Sequence, residues 1–158
     1  MSEVWFYHLE RQRIEAVLPG LVEKSRARGW RVVIETPQAE LMQSLDALLW
    51  TFRDDAFLPH GTSADANPEN QPVYLTTGPE TPNGAEVRFL VAGADPGNCL
   101  APMPDGAQEL HHRVVILFDG RDDASVATAR EQWRALKASN HILSYWQQNQ
   151  EGGWQKKA

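Results

Sequence analysis

Between Val4 and Thr51 the chain alternates twice between a short apolar run and a longer segment of helical periodicity, and this alternation restricts the fold more than any other feature. The run VWFYHL (Val4 to Leu9) is rich in aromatics and bounded by charge, as a buried strand would be. Ile14, Val17, Leu18, Leu21 and Val22 then recur on one helical face up to Arg28, with Gly29 in the place of a C-terminal cap. Pro19-Gly20 lies inside that pattern, so the helix is either kinked there or starts at Pro19 as a first-turn residue. RVVIE (Arg31 to Glu35) is a second strand. Thr36-Pro37 offers a cap and a first-turn proline for the next helix, whose Leu41, Leu45, Leu48 and Leu49 share a face. Strands separated by helices run parallel through right-handed crossovers, with the helices packed on the sheet, so an α/β domain is expected.

The later chain continues the theme with more loop. Residues 62 to 72 are polar without an apolar anchor and are expected to be mobile. Val73 to Thr76 and Val87 to Val91 read as strands on either side of the turn GPETPNG, and residues 92 to 106, with three prolines and three glycines, read as loop. VVILF (Val114 to Phe118) is the most apolar run and is expected at the centre of the sheet. Asp122, Asp123 or Ser125 caps a helix reaching about Ser139, Ile142 to Gln148 reads as a final strand, and the tail EGGWQKKA as loose apart from Trp154. The expected organisation is therefore a single domain over 1–150 and a flexible tail over 151–158.

Composition excludes several classes of function. A net charge of -6 and a pI near 5.3 do not suit a domain that grips phosphate backbones over a broad basic face, so any polyanion must meet a local basic patch. Cys99 is the single cysteine, which leaves no intrachain disulfide and no thiol pair for zinc or redox chemistry. No apolar window is long enough to cross a membrane and the N-terminus has no secretory pattern, so a cytoplasmic protein is expected. The motifs GxxxxGK[ST], GxGxxG, HExxH, GxSxG and CxxC are all absent. His111 and His112 are adjacent and would point apart on a strand; Asp119, Asp122 and Asp123 could take a divalent cation but equally well cap a helix. No cofactor and no metal is expected. A nucleotide- or metal-dependent α/β enzyme is the alternative, which a thermal shift with Mg²⁺ and nucleotides would reveal.

Two surfaces carry more information. In DASVATAREQWRALK (Asp123 to Lys137), Ala129, Trp133 and Leu136 fall on one arc and Arg130, Arg134 and Lys137 on the next, with Val126 between them. An apolar face bordered by a basic one suits an extended acidic peptide ending in an apolar side chain, although a solvated surface helix with a core Trp133 has the same spacing. In LMQSLDALLWTFRDDAFLPHG (Leu41 to Gly61), a buried helix runs directly into Trp50, Phe52, Phe57, Leu58 and Pro59 among charges. Aromatics on a polar connection fit a partner surface, or else they cap the core.

The order and spacing of FYHL (Phe6 to Leu9), RGWRVVI (Arg28 to Ile34), LDALLWTFRDDAFLPHG (Leu45 to Gly61), VVILFDG (Val114 to Gly120), AREQWRALK (Ala129 to Lys137) and YWQQ (Tyr145 to Gln148) resemble the chi subunit of bacterial DNA polymerase III holoenzyme, a clamp-loader accessory protein. The likeness spans almost the whole chain, and LLWTFRDDAFLPHG is its specific part. It implies a single three-layer α/β domain with a mainly parallel central sheet, similar to mononucleotide-binding proteins but without a phosphate loop. It implies a non-catalytic adaptor that holds the acidic, Phe-terminated tail of single-stranded-DNA-binding protein and pairs with the psi subunit, without binding DNA itself. Carried over by position, the tail site falls on Arg130, Trp133, Arg134 and Lys137, with Val126 added from helix geometry. The psi-facing surface falls on Trp50, Phe57, Leu58 and Pro59. Where the family shows Tyr or Lys, this chain has Trp133 and Arg134, which keep the aromatic ring and the charge.

Overall fold

The computed structural model describes residues 3–10, 12–51, 60–62, 67–78, 80–96, 111–138, 141–149 and 153–157. The described strands are β1 (Glu3–Leu9), β2 (Val32–Glu35), β3 (Gly61–Thr62), β4 (Val73–Thr76), β5 (Val87–Leu90), β6 (Arg113–Asp119), β7 (Ile142–Gln148) and β8 (Trp154–Lys156), and the helices are α1 (Ile14–Ala27), α2 (Ala39–Thr51) and α3 (Asp123–Ala138). They form one sheet in the order β3-β4-β2-β5-β6-β1-β7-β8, parallel throughout except for β7 with β8. This is the α/β domain that the alternation implied, with the three layers and mainly parallel sheet that the resemblance implied.

Side-chain alternation along the strands sorts the core into two layers. Tyr7 and Leu9 of β1 and Val115 and Leu117 of β6 pack with Leu18 and Val22 of α1 and Leu45 and Leu49 of α2. Val4 and Phe6, with Val114, Ile116 and Phe118, face the opposite way, onto Ala129 and Leu136 of α3. VVILF is buried on both faces because β6 lies between β5 and β1, as its unbroken apolar run requires. Each such residue contributes roughly 1.5–3 kcal/mol of burial.

Element ends settle the open alternatives. Helix α1 starts at Ile14, runs through Pro19 and ends at Ala27; past its C-cap Arg28, Gly29 with a φ of 82° lets the Trp30 N–H reach back to the Ser25 carbonyl at 3.1 Å. Helix α2 starts later than Thr36-Pro37 suggested, because Thr36 is still bonded to the sheet through its N–H to the Thr76 carbonyl (3.1 Å); its hydroxyl accepts from Gln38 ahead of the helix. Asp122 is the cap of α3, accepting from the Ser125 N–H (3.2 Å) and hydroxyl (2.6 Å).

Two segments differ from expectation. The loop expected over 62–72 begins in edge strand β3, where Thr62 is buried against β4, and includes a 3-10 turn at Pro68–Asn70. The tail expected to be loose from 151 contains β8, so Ile142–Gln148 is not the last strand. Trp154 packs its ring 4.6 Å from that of Tyr7, and that contact carries its short strand onto β7.

A buried ion pair lies at the other end of the sheet. Arg88 of β5 is fully buried; its Nε and Nη2 donate to one carboxylate oxygen of Glu35 at 2.8 and 2.6 Å. The remaining donors hold the loop that precedes β5 through the Gly78 carbonyl (2.7 Å), the Glu80 carbonyl (3.1 Å) and the Thr81 hydroxyl (3.0 Å). Burial pushes the Glu35 carboxyl above its ordinary pKa, and the Arg88 charge opposes that rise.

Candidate functional site

Helix α3 alone covers its face of the sheet among the described elements, and its outer edge leaves a groove of about 310 Å³ against β6 and β7. The groove is lined by Phe118, Val126, Ala129, Arg130, Trp133, Arg134 and Tyr145. Trp133 sits edge-on to Phe6 (5.3 Å, 72°) and to Tyr145 (5.7 Å, 85°), so the indole is clamped by two rings rather than free on the surface. The Tyr145 hydroxyl lies 2.6 Å from Nδ1 of His8, and the His8 ring in turn packs 5.0 Å from Phe118. Burial lowers the His8 pKa, which favours the neutral imidazole in this contact. Burial raises the Tyr145 pKa, and Arg130 opposes that shift. The Arg130 charge therefore acts directly over the groove floor.

Arg130, Arg134 and Lys137 are exposed, and among the described residues none of them makes a hydrogen bond or an ion pair. The groove thus joins an apolar notch to guanidinium groups that keep their donors for an external anion, a combination suited to a carboxylate beside an apolar side chain. Four of the five residues read from the sequence line it. Lys137 does not; it stands two turns along α3 from Arg130, at the last turn of the helix. Periodicity missed Phe118, Ala129 as a wall, Tyr145 and the supporting His8. A register argument could have found two of them, since Phe6 is opposite Tyr145 on one side and Ile116 on the other, which puts alternate residues of three strands on this face.

The second surface is described only at its start. Trp50 is 53% exposed and its ring lies 4.5 Å from that of His60, whose Nε2 is 3.1 Å from the Asp46 carbonyl and 3.0 Å from its carboxylate. Phe57, Leu58 and Pro59 lie outside the described residues. Asp119 pairs with Arg121 (3.1 Å) while Asp122 caps α3. His111 is buried against the Ala85 carbonyl, with its pKa lowered to about 4 by burial, whereas the adjacent His112 is exposed and stacks on Trp30, so the two diverge. Among the described residues no three His, Cys, Asp or Glu side chains gather in a metal-binding group.

The sequence profile of the family described as DNA polymerase III chi subunit, HolC, matches residues 1–144. The chain belongs to the DNA polymerase III chi subunit family. It is 30% identical over 119 residues to the probable DNA polymerase III subunit chi of Rickettsia prowazekii (strain Madrid E), an alignment covering 75% of this chain and 71% of that protein. Chi is an accessory subunit of the polymerase, so the work of a chi-family chain lies in contacts with protein partners within the holoenzyme. The resemblance read from its motifs holds. Among the described residues no helix is long and apolar enough to cross a membrane.

Proposed function

We propose that this chi-family protein is a non-catalytic, cytoplasmic adaptor of the clamp loader whose α3 groove holds the acidic C-terminal tail of single-stranded-DNA-binding protein. The observation that carries the reading is the coincidence of a ring-walled apolar notch with Arg130 and Arg134 at its mouth, neither engaged by the protein's own carboxylates among the described residues. The terminal Phe side chain enters between Trp133, Tyr145 and Phe118. Its α-carboxylate takes the guanidinium groups, and the preceding acidic residues follow the helix toward Lys137. A flexible tail loses conformational freedom on docking, and one buried ring with a few partly exposed ion pairs leaves roughly micromolar affinity, about 8 kcal/mol.

Calorimetry with a synthetic tail peptide tests this directly. The intact peptide binds, and a peptide lacking the terminal Phe loses most of the affinity. Equal binding of the two would end the assignment. The exposed Trp50 supports a second partner surface there, completed by Phe57, Leu58 and Pro59 and directed at the psi subunit. Trp50→Ala should abolish co-purification with psi while leaving tail binding intact.

A further inference from the structure

On the α1 face of the sheet, away from both surfaces above, a cleft of about 200 Å³ opens between the C-terminal half of α1, the first residues of β1 and β6, and Trp154 of β8. Its charged lining consists of Lys24, Arg28 and Arg113, and among the described residues no carboxylate lines it, in a chain of net charge -6. Arg113 lies flat over Trp5, 3.7 Å from the ring centroid, and its Nε is buried with no hydrogen-bond partner among the described residues. Its nearest acid, Glu3, is 3.6 Å from Nη2 and half exposed, a weak contact for a cation so enclosed. Burial lowers the Arg113 pKa and the nearby Arg28 charge lowers it further, so the two like charges repel across the cleft. The Tyr7 hydroxyl has no bonding partner among the described residues, and both guanidinium groups act on it.

We infer that this cleft binds a phosphate monoester attached to a flat ring, the chemistry of a nucleotide. Three cations lining one cleft, two of them in mutual repulsion, are relieved by a dianion better than by a single carboxylate, and a phosphate monoester carries about -1.5 to -2 charge at pH 7. Of the aromatic walls, Phe89 is buried and Trp5 is already covered by Arg113, so the partly exposed Trp154 is the ring that receives a planar body. The volume holds a phosphate with roughly one ring, the rest of the ligand standing in solvent. A free nucleotide and a nucleotide of a single strand share this chemistry.

The test is calorimetry of the whole protein with adenosine monophosphate, adenosine, inorganic phosphate and a short single-stranded oligonucleotide. Adenosine monophosphate is expected to bind at least tenfold more tightly than adenosine or phosphate alone. Lys24→Gln on α1 with Arg28→Gln just past its end, both exposed and so without effect on folding by circular dichroism, should weaken it at least tenfold. Arg130→Ala with Lys137→Ala should leave it unchanged, which separates this cleft from the tail groove. Competition by the oligonucleotide would identify a strand as the source; binding of the nucleotide without competition would identify the free nucleotide. Adenosine monophosphate binding no tighter than phosphate or adenosine, or as tightly to the double variant as to the native protein, overturns the inference.

Discussion

Replacing Arg88 by Met keeps most of the side-chain volume while deleting the one cation held inside the sheet. The change leaves the Glu35 carboxylate buried without its counter-ion and strips donors from the Gly78 and Glu80 carbonyls and the Thr81 hydroxyl. Removing one member of a buried ion pair costs about 3–5 kcal/mol, and the loop acceptors are near enough to the surface for water to replace part of what they lose. A net loss of about 4 kcal/mol is expected, a large share of the ~5–15 kcal/mol by which domains are stable. Urea unfolding followed by circular dichroism and tryptophan fluorescence reads it. The pH dependence sharpens the test. The Glu35 pKa is already raised in the folded protein, and without Arg88 it rises further, so ionising this carboxyl opposes folding. That penalty is absent below the ordinary carboxylate pKa, grows as pH rises toward the folded-state pKa, and is complete above it. The gap between variant and native protein should therefore narrow as pH falls from about 8 to about 5. A loss under about 1 kcal/mol, or a gap independent of pH, would refute the account of Arg88 as the charge that makes a buried Glu35 tolerable.

Other outcomes follow from the geometry. Arg130→Ala with Lys137→Ala should weaken tail-peptide binding by about 1–2 kcal/mol, or roughly 5- to 30-fold, without lowering the melting temperature, and added salt should weaken the native complex in the same direction. Gly120→Ala places a methyl group against the His8 ring and the Leu9 carbonyl, so it should cost about 1–3 kcal/mol and, by displacing His8 from Tyr145, also reduce peptide affinity. Ending the chain at Gly153 removes β8 and uncovers Tyr7; a loss of about 2–3 kcal/mol in thermal or urea unfolding is expected from the missing Trp154 packing.

The parallel sheet was legible because VWFYHL, RVVIE and VVILF are separated by helical periods, which leaves hardly any other architecture open. The α3 groove was legible only in part. Arg130, Trp133 and Arg134 share a helix, so spacing groups them, whereas Phe118 and Tyr145 reach the same notch from separate strands and only the sheet register brings them there. Arg88 was hidden because VRFLV reads as an ordinary half-buried strand, and nothing local announces that Glu35 is its neighbour across the β2–β5 ladder. Strand β8 escaped because three residues of mixed polarity carry no periodicity; a single tryptophan anchors them.

Trp133 serves two masters. The edge it presents to Phe6 helps close the protein's interior, and its neighbouring surface walls the groove in which the proposed tail would dock. Drift at this position would therefore be penalised twice, so lineages should hold to a large flat ring here while the flanking cations need keep only their charge. A drug or engineered peptide aimed at the notch would meet a target that cannot readily mutate away from it.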